Sequence, residues 1–419
     1  MTSPERYIPR LVDGLLAELF TTFPAILLTG ARATGKTTTA LRHADTVIRL
    51  DDPAEATAMR AAPDAVLATK TGTVLLDEWQ EVPEVLGAVK RAVDTGANRA
   101  RFLLTGSVRA ALSTSMWPGT GRVLQVPLHP LTMAELTARG DRPGSRVLDL
   151  IMAGRTEELT LPDDLPDLVG YLELAVRGGY PAVLTLPPDH RRRWLDGYLE
   201  QVFVRDVALL GGQRDPRRMR RFLQAIAVNT AGLIADAELA RTADIDVRTA
   251  KRYERLLEDL GIVDSVPPWF TNRLSRLVKS HKRYLADPGL AATLVGIDAA
   301  GLLRNGDLMG RLLDTFVAAQ VRPLLTINGD GARLHHVRQR DGQHEADLLL
   351  EFPDGRVIPM EVKSSAGPQA RDARHLVWLR EQLTEQFVAG VVWHTGRWIY
   401  PLSERITAVP IAALWGPGE

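Results

Sequence analysis

The sequence predicts an α/β protein with three regions, and three observations lead to this prediction. Near the N-terminus, a short apolar run is followed directly by a glycine-rich turn and a helix. In the middle, two helical stretches joined by a short turn lead into a strand. Toward the C-terminus, a helix precedes a hairpin and a strand that ends in charged residues. For 419 residues we expect two to four domains, and we place them at 1–165, 166–299 and 300–419.

Composition and charge exclude several classes of protein. Hydrophobic residues make up 45% and charged residues 24% of the chain, which excludes a disordered or fibrous protein. The 51 basic residues balance 51 acidic ones, so the chain is not basic throughout, although a local basic surface stays compatible with this balance. The sequence has no cysteine, which excludes disulfides, cysteine-ligated metals and thiol catalysis.

The expected location follows from the same features. No apolar run approaches the roughly 18 residues that a membrane-spanning helix needs. Acidic residues early in the chain do not fit a signal peptide, and the absence of cysteine fits a reducing compartment. We therefore expect a soluble cytoplasmic protein with no membrane partner.

The first apolar run, residues 25–29, leads into GARATGKTTTALRH, which fits the phosphate-loop pattern G-x-x-x-x-G-K-[ST]. Glycines let the backbone N–H groups face a phosphate, Lys36 reaches the β- and γ-phosphates, and the Thr37 hydroxyl is offered to Mg²⁺. A chance glycine-rich turn is the alternative, but the strand and helix on either side argue against it. The expected nucleotide-binding residues are Gly30, Ala31, Arg32, Ala33, Thr34, Gly35, Lys36, Thr37 and Thr38.

A buried strand with acids at its end follows. After a strand at 46–52 and a helical stretch, residues 74–76 form an apolar run that ends in Asp77 and Glu78. We expect Asp77 to hold Mg²⁺ together with Thr37, and Glu78 to orient or deprotonate the attacking water. A helix-capping acid is the alternative.

Two further segments supply catalytic candidates. The strand at 101–105 ends in GSVR, where Ser107 is the first candidate for contact with the γ-phosphate and Thr105 the second. The segment 121–136 predicts a fifth strand and a helix start, and its Arg122 is a candidate for stabilising phosphate charge, including on a neighbouring subunit. An ordinary turn and a surface arginine are the alternatives. The catalytic set is Lys36, Glu78, Ser107 and Arg122.

The ordered motifs GARATGKTT, LLDEWQEVPEVLGAVKRAVD, RFLLTGS and PLHPLTMAEL resemble prokaryotic AAA-type ATPases with a C-terminal domain of unknown function, number 4143. The motifs GGYPAVL, YLEQVFVRDV, KRYLADPGLAATLVG and HEADLLLEFPDGRVIPMEVKSS extend the resemblance over nearly the whole chain. It implies a five-stranded parallel ATPase sheet and ATP as the nucleotide. It also implies that Arg10, in the segment YIPR, lies near that nucleotide.

The middle region predicts a winged helix, because a helix, a turn, a second helix after the N-cap Asp246 and a strand follow one another over 232–266. Two segments, 215–221 and 271–283, add further basic residues. A protein-interaction module or solvated charged faces are the alternatives. The expected nucleic-acid contacts are Arg248, Lys251, Arg252, Arg255, Arg273, Arg276 and Lys279.

The C-terminal region predicts a helix at 310–325, a hairpin and a third strand. Asp347 lies in the hairpin, and strand alternation places Glu361 and Lys363 on one face of the third strand. This D…E-x-K pattern resembles the PD-(D/E)xK nuclease fold, so the nuclease-like residues are Asp347, Glu361 and Lys363, with Asp347 and Glu361 as a second expected metal site. Where the family helix usually carries a glutamate, this chain has Asp314 and Gln320.

Together these features predict an α/β protein with a P-loop AAA-type ATPase domain, a winged-helix middle and a nuclease-like C-terminal domain. The expected function is Mg²⁺-dependent ATP hydrolysis coupled to DNA binding or remodelling, with branched DNA as one candidate substrate. The expected assembly is a homo-oligomer such as a hexamer. Two alternatives stay open: an ATP-gated metal-dependent nuclease, and a nucleotide switch that acts on a protein partner.

Overall fold

The computed structural model describes residues 7–95, 100–106, 121–138, 146–206, 215–270, 280–339 and 342–416. The chain divides into two compact units. The first comprises Met1–Leu131 with Asp259–Gly261, and the second comprises Thr132–Glu258 with Ile262–Glu419. The main boundary between the two units therefore lies between Leu131 and Thr132. The division into three domains at 1–165, 166–299 and 300–419 stays a prediction.

The first unit contains the predicted five-stranded parallel sheet, with strand order β2-β3-β4-β1-β5. All five residues of β1 and the last four of β3 are buried, as expected for strands covered on both faces. The parallel register pairs Leu28 of β1 with Thr105 of β4, and Leu76 of β3 with Leu104, so these strands end at one edge. The elements are α1 Leu11–Thr22, β1 Ala25–Thr29, α2 Lys36–Ala40, β2 Thr46–Arg49, α3 Pro53–Ala61, α4 Pro63–Ala68, β3 Gly72–Asp77, α5 Val85–Thr95, β4 Ala100–Thr105 and β5 Leu124–Pro127.

The second unit begins with helices and a two-stranded sheet. Asp246 caps the helix Val247–Asp259, as predicted. Its Oδ1 accepts a hydrogen bond of 3.0 Å from the Thr249 N–H in the first turn of that helix. Two antiparallel strands follow that helix. The elements are α6 Met133–Thr137, α7 Val147–Met152, α8 Leu168–Arg177, α9 Pro188–Gln201, α10 Pro216–Val228, α11 Asp236–Thr242, α12 Val247–Asp259, β6 Val263–Val266 and β7 Lys282–Leu285.

The rest of the second unit is a six-stranded mixed sheet with strand order β12-β13-β11-β10-β9-β8. Strands β8, β9 and β10 pair antiparallel, whereas β10, β11 and β13 pair parallel. The predicted long helix, hairpin and third strand are confirmed as α15, β8 with β9, and β10. The elements are α13 Pro288–Val295, α14 Ala299–Leu303, α15 Gly306–Ile327, β8 Arg333–Arg338, β9 Glu345–Glu351, β10 Val357–Val362, α16 Arg374–Leu383, β11 Gly390–His394, β12 Tyr400–Ser403 and β13 Ile406–Pro410. None of the helices in the described ranges is long and apolar enough to cross a membrane.

Candidate nucleotide site and the acidic cavity

The loop between β1 and α2 has the tight curvature that its glycines permit. Gly30 has a φ of 147°, and a Cβ atom at this position would lie 2.2 Å from the carbonyl oxygen of Leu128. Gly35 has a φ of 94°, in the region that side-chain-bearing residues rarely adopt. A side chain at either position would therefore open the loop.

Lys36 lies inside the curve of this loop. Its Nζ donates to the carbonyl oxygens of Gly30 at 2.9 Å and Ala31 at 2.7 Å. Burial lowers the pKa of Lys36 to about 8, although the nearby carboxylates of Glu78 and Asp77 act in the opposite direction. The ammonium is thus held by weak neutral acceptors that phosphate oxygens can replace.

The carboxylate of Asp77 lies next to this loop. Its Oδ1 accepts a hydrogen bond of 2.8 Å from the Thr37 hydroxyl and another from the Thr105 hydroxyl. The structure therefore brings together the two residues predicted to hold Mg²⁺, and both offer the hard oxygen donors that this ion prefers. Mg²⁺ fits this pair.

The predicted γ-phosphate contacts have separate outcomes. The Thr105 hydroxyl donates a hydrogen bond to Asp77 and so orients that carboxylate, and its contact with a γ-phosphate stays a prediction. Ser107 lies outside the described residues, and its role stays a prediction.

Glu78 follows Asp77 with a φ of 53°, and its carboxylate accepts a hydrogen bond from the Gln80 side-chain amide. Gln80 could not be predicted from the sequence, because a glutamine three residues beyond the strand-end Asp77 belongs to no motif of its own.

Arg10 supports the P-loop from the start of the chain. Its Nη1 donates to the Thr34 carbonyl at 2.8 Å, and its Nη2 donates to the His129 carbonyl at 2.7 Å. The Thr34 hydroxyl donates to the Ala31 carbonyl at 2.9 Å, so the loop has a continuous set of internal hydrogen bonds. Arg10 therefore contacts the P-loop directly, and its proximity to a bound nucleotide stays a prediction.

Arg122 lies at the opposite edge of the sheet from the P-loop. It precedes β5, whose Leu124 pairs with Ile26 near the beginning of β1. Its Nε forms an ion pair of 2.9 Å with Asp94. This position does not support contact with a nucleotide in its own chain, and contact with a neighbouring subunit's nucleotide stays a prediction.

The predicted basic face of α12 is exposed. Lys251 has a distant partner, since its Nζ is 3.7 Å from Asp236. The side of the helix with Tyr253 and Leu257 is buried. The exposed basic residues are Arg248, Lys251, Arg252 and Arg255.

Only the end of the basic segment 271–283 lies within the described residues. Arg273, Arg276 and Lys279 lie outside the described residues. In the same segment, Lys282 and Arg283 are 7% and 5% exposed, and both are held in ion pairs. They are therefore interior residues and not part of a basic surface.

A cavity of about 530 Å³ in the second unit is lined by the predicted nuclease-like residues. Lys363 Nζ donates to Glu361 Oε2 at 3.0 Å, and Asp347 Oδ2 accepts a hydrogen bond of 3.0 Å from the Val362 N–H. Burial, and secondarily the charge of Asp347, raises the pKa of Glu361 well above its ordinary value. The structure thus brings Asp347, Glu361 and Lys363 together, as the strand pattern predicted.

Lys282 enters the same cavity, and this was not anticipated. Its Nζ is 2.6 Å from Asp314 Oδ2 and 3.1 Å from Asp347 Oδ1. Burial lowers the pKa of Lys282, but the two carboxylates outweigh this and raise it well above its ordinary value. Nothing in the sequence distinguishes Lys282 from the other basic residues of its run, because its placement depends on the pairing of β7 with β6.

The expected metal site at Asp347 and Glu361 is not supported. In the part of the chain that the structure describes, there is no group of three or more His, Cys, Asp or Glu residues that could hold a metal ion. The ammonium of Lys282 instead pairs with both Asp347 and Asp314. Gln320, the second helix position considered, accepts a hydrogen bond of 2.7 Å from the Met133 N–H instead.

Comparison with known families divides the chain into three matched segments. The family described as an AAA domain matches residues 22–137. Two families described as domains of unknown function, DUF8612 and DUF4143, match residues 169–301 and 309–414. The chain therefore has an AAA-type P-loop ATPase domain and a C-terminal DUF4143 domain.

Individual proteins are similar over most of the chain. The Walker-type ATPase PABY2304 of Pyrococcus abyssi is similar over 70% of this chain and 97% of its own, with 16% identity and a TM-score of 0.40. The uncharacterized proteins Rv2008c of Mycobacterium tuberculosis and Mb2031c of Mycobacterium bovis are each 30% identical over 397 residues. Each alignment covers 92% of this chain and 80% of the mycobacterial protein. The chain therefore belongs to the family of Rv2008c and Mb2031c.

Proposed function

We propose that this protein is an Mg²⁺-dependent ATPase that couples ATP hydrolysis to DNA binding. The observation that carries the ATPase proposal is the meeting of Lys36, Thr37 and Asp77 at one edge of the parallel sheet. A loop lysine, a hydroxyl and a strand-end carboxylate in this arrangement are the parts that P-loop enzymes use for phosphoryl transfer.

The proposed reaction is in-line attack of water on the γ-phosphate of ATP. Lys36 exchanges its two carbonyl acceptors for β- and γ-phosphate oxygens. Thr37 and Asp77 would hold Mg²⁺, which supplies charge neutralisation on the phosphates. Glu78 takes a proton from the attacking water as the new bond to Pγ forms and the bond to the bridging β–γ oxygen breaks. ADP and inorganic phosphate leave.

Two further residues complete the proposed catalytic set. Ser107 follows the end of β4, where it would contact the γ-phosphate. Arg122 would act on the nucleotide of a neighbouring subunit, which requires a homo-oligomer and the release of Asp94.

The DNA-binding part of the proposal rests on α12. The helices α10, α11 and α12 followed by the β6–β7 pair have the order of a winged helix, in which the last helix contacts DNA. Arg248, Arg252 and Arg255 project from its exposed face, and none has an ion-pair partner among the residues with a described position. Guanidinium groups without acidic partners are suited to phosphate contacts.

ATP hydrolysis is tested by the rate of phosphate release, measured for the wild type and Lys36→Ala with and without Mg²⁺. We expect turnover that requires both the metal and Lys36. Equal rates in the wild type and the variant would contradict the ATPase proposal.

DNA coupling is tested with duplex, forked, four-way-junction and single-stranded DNA, by fluorescence anisotropy across a salt series together with ATPase rates. The triple variant R248Q/R252Q/R255Q should bind more weakly, with a salt slope smaller by about three. The matched control R192Q/R193Q/R371Q removes the same charge from exposed arginines elsewhere and should bind as the wild type does.

The same experiment separates the alternatives. If no DNA binds and none changes turnover, DNA coupling fails, and slow turnover with a co-purifying protein would favour a nucleotide switch. Loss of binding in both triple variants would indicate nonspecific attraction and not a site on α12.

A further inference from the structure

Among the residues that line the cavity of the second unit, two lysines form ion pairs with three of the carboxylates. Lys282 lies between Asp314 of α15 and Asp347 of β9, and Lys363 pairs with Glu361 of β10. Lys282 and Asp314 each have only 8% of their side chain exposed, so this contact is shielded from solvent. Bridges of this kind persist in an interior only when hydrogen bonds compensate the loss of hydration.

Each oxygen of the two aspartates already accepts a hydrogen bond. Asp314 Oδ1 accepts from the Tyr284 hydroxyl at 3.1 Å, and its Oδ2 accepts from Lys282. Asp347 Oδ1 also accepts from Lys282, and its Oδ2 accepts from the Val362 N–H. A divalent cation shared by the two aspartates would need to lie about 2.0 to 2.6 Å from their oxygens, where the ammonium of Lys282 now lies. The ammonium and the metal ion therefore compete for this one position and repel each other by charge.

Glu361 is the one carboxylate of the cluster with an unused oxygen. Its Oε1 is buried and has no hydrogen-bond partner, while its Oε2 accepts from Lys363.

We propose that the ammonium of Lys282 takes the place of a divalent cation in this cavity, so that the DUF4143 domain holds its acidic residues together without metal and does not cleave nucleic acid. Lys282 is the first residue of β7, so the same bridge attaches the two-stranded sheet to α15 and β9. Asp314 Oδ2 and Asp347 Oδ1 lie 2.6 and 3.1 Å from the same ammonium nitrogen, so removal of the lysine side chain would leave both oxygens facing one position. This pair of oxygens would then form a divalent-cation site that the natural chain lacks.

The test measures Mn²⁺ binding without nucleotide, by the electron paramagnetic resonance signal of the free ion. All proteins carry Asp77→Asn, which removes the ATPase metal ligand. We expect no bound ion for Asp77→Asn alone, one ion per chain for D77N/K282M, and none for D77N/K282M/D347N. A bound ion in Asp77→Asn that is lost in D77N/D347N would overturn the proposal, as would a folded D77N/K282M that binds no ion.

Lys282→Met leaves two buried carboxylates without a cation, so folding is monitored by circular dichroism and thermal melting. D77N/K282M should melt at a higher temperature when Mn²⁺ is added, because an ion bound only by the folded state stabilises it. If D77N/K282M does not fold, the comparison of D77N with D77N/D347N still decides whether the natural cluster binds metal.

The wild type with Mn²⁺ or Mg²⁺ should leave duplex, forked and junction DNA intact, and cleavage lost in Lys363→Ala would overturn the proposal. None of these outcomes depends on ATP hydrolysis, so this proposal and the ATPase proposal can fail separately.

Discussion

The guanidinium of Arg10 donates a hydrogen bond of 2.8 Å to the main-chain carbonyl of Thr34, inside the P-loop. Arg10 is only 4% exposed and Thr34 is fully buried. A residue that precedes the first helix therefore restricts the loop that follows the first strand.

Replacing Arg10 by alanine should destabilise the protein and weaken ATP binding. Each hydrogen bond from a charged group contributes about 1.5 to 3 kcal/mol, and Arg10 makes two to carbonyl oxygens. We expect a loss of about 3 kcal/mol in urea unfolding and a higher Kd for a fluorescent ATP analogue. Arg10→Lys should lose less, because it keeps the charge and one donor. Unchanged affinity in a stably folded Arg10→Ala protein would show that the loop does not need this support.

ATP binding should weaken as the pH rises through about 8, the pKa of Lys36 in the free protein. Below that pH the ammonium is present and affinity is constant. Above it a proton must be taken up on binding, and affinity falls by up to about tenfold per pH unit. Lys36→Arg keeps its charge over the whole interval, so its affinity should show no such break. A break at the same pH in both proteins would assign it to another group.

The same pKa shift predicts the sign of one contribution to folding stability. The ordinary pKa of lysine is 10.5, so between about 8 and 10.5 the unfolded chain binds more protons at this position than the folded one does. The contribution of Lys36 to stability without nucleotide therefore rises with pH over that interval. The melting temperature of the wild type minus that of Lys36→Met should therefore increase with pH over this interval, and a constant difference would contradict the prediction.

Thr105→Ala should raise the Mg²⁺ concentration needed for ATP hydrolysis. The Thr105 hydroxyl orients Asp77, and loss of such an outer partner typically costs 10–100-fold in metal affinity or activity. We expect an increase of about tenfold in the half-saturating Mg²⁺ concentration. Thr105→Ser keeps the hydroxyl and should behave as the wild type does. If the serine and alanine variants lose activity equally, the threonine methyl group and not the hydrogen bond is responsible.

Glu78→Gln should bind ATP normally but hydrolyse it about 10²–10⁴-fold more slowly, because an amide cannot accept the proton of the attacking water. Gln80→Ala releases the Glu78 carboxylate and tests whether this contact restrains it. Single-turnover hydrolysis and analogue binding separate chemistry from affinity. Normal single-turnover rates for Glu78→Gln would remove Glu78 from the mechanism.

Local sequence signals predicted the nucleotide site well. The spacing of Gly30, Gly35, Lys36 and Thr37 belongs to one turn, and parallel strands bring Asp77 to the same edge of the sheet. The contact between Thr105 and Asp77 was not predicted, because only the pairing of β3 with β4 brings the Thr105 hydroxyl to that carboxylate. The parallel pairing of β5 with β1 places Arg122 at the edge of the sheet opposite the P-loop, although its position in the sequence suggested a catalytic arginine.

By itself, the sequence determined the order of helices and strands, the P-loop and the convergence of Asp347, Glu361 and Lys363, because all of these depend on short-range periodicity. Only the tertiary structure decided what neutralises that acidic cluster. Lys282 precedes Asp314 and Asp347 by tens of residues, and in the sequence it belongs to a basic run that is typical of a surface. Its ammonium is placed between the two carboxylates by the packing of β7 against α15 and β9, and a charge is retained in the interior only where such long-range partners meet.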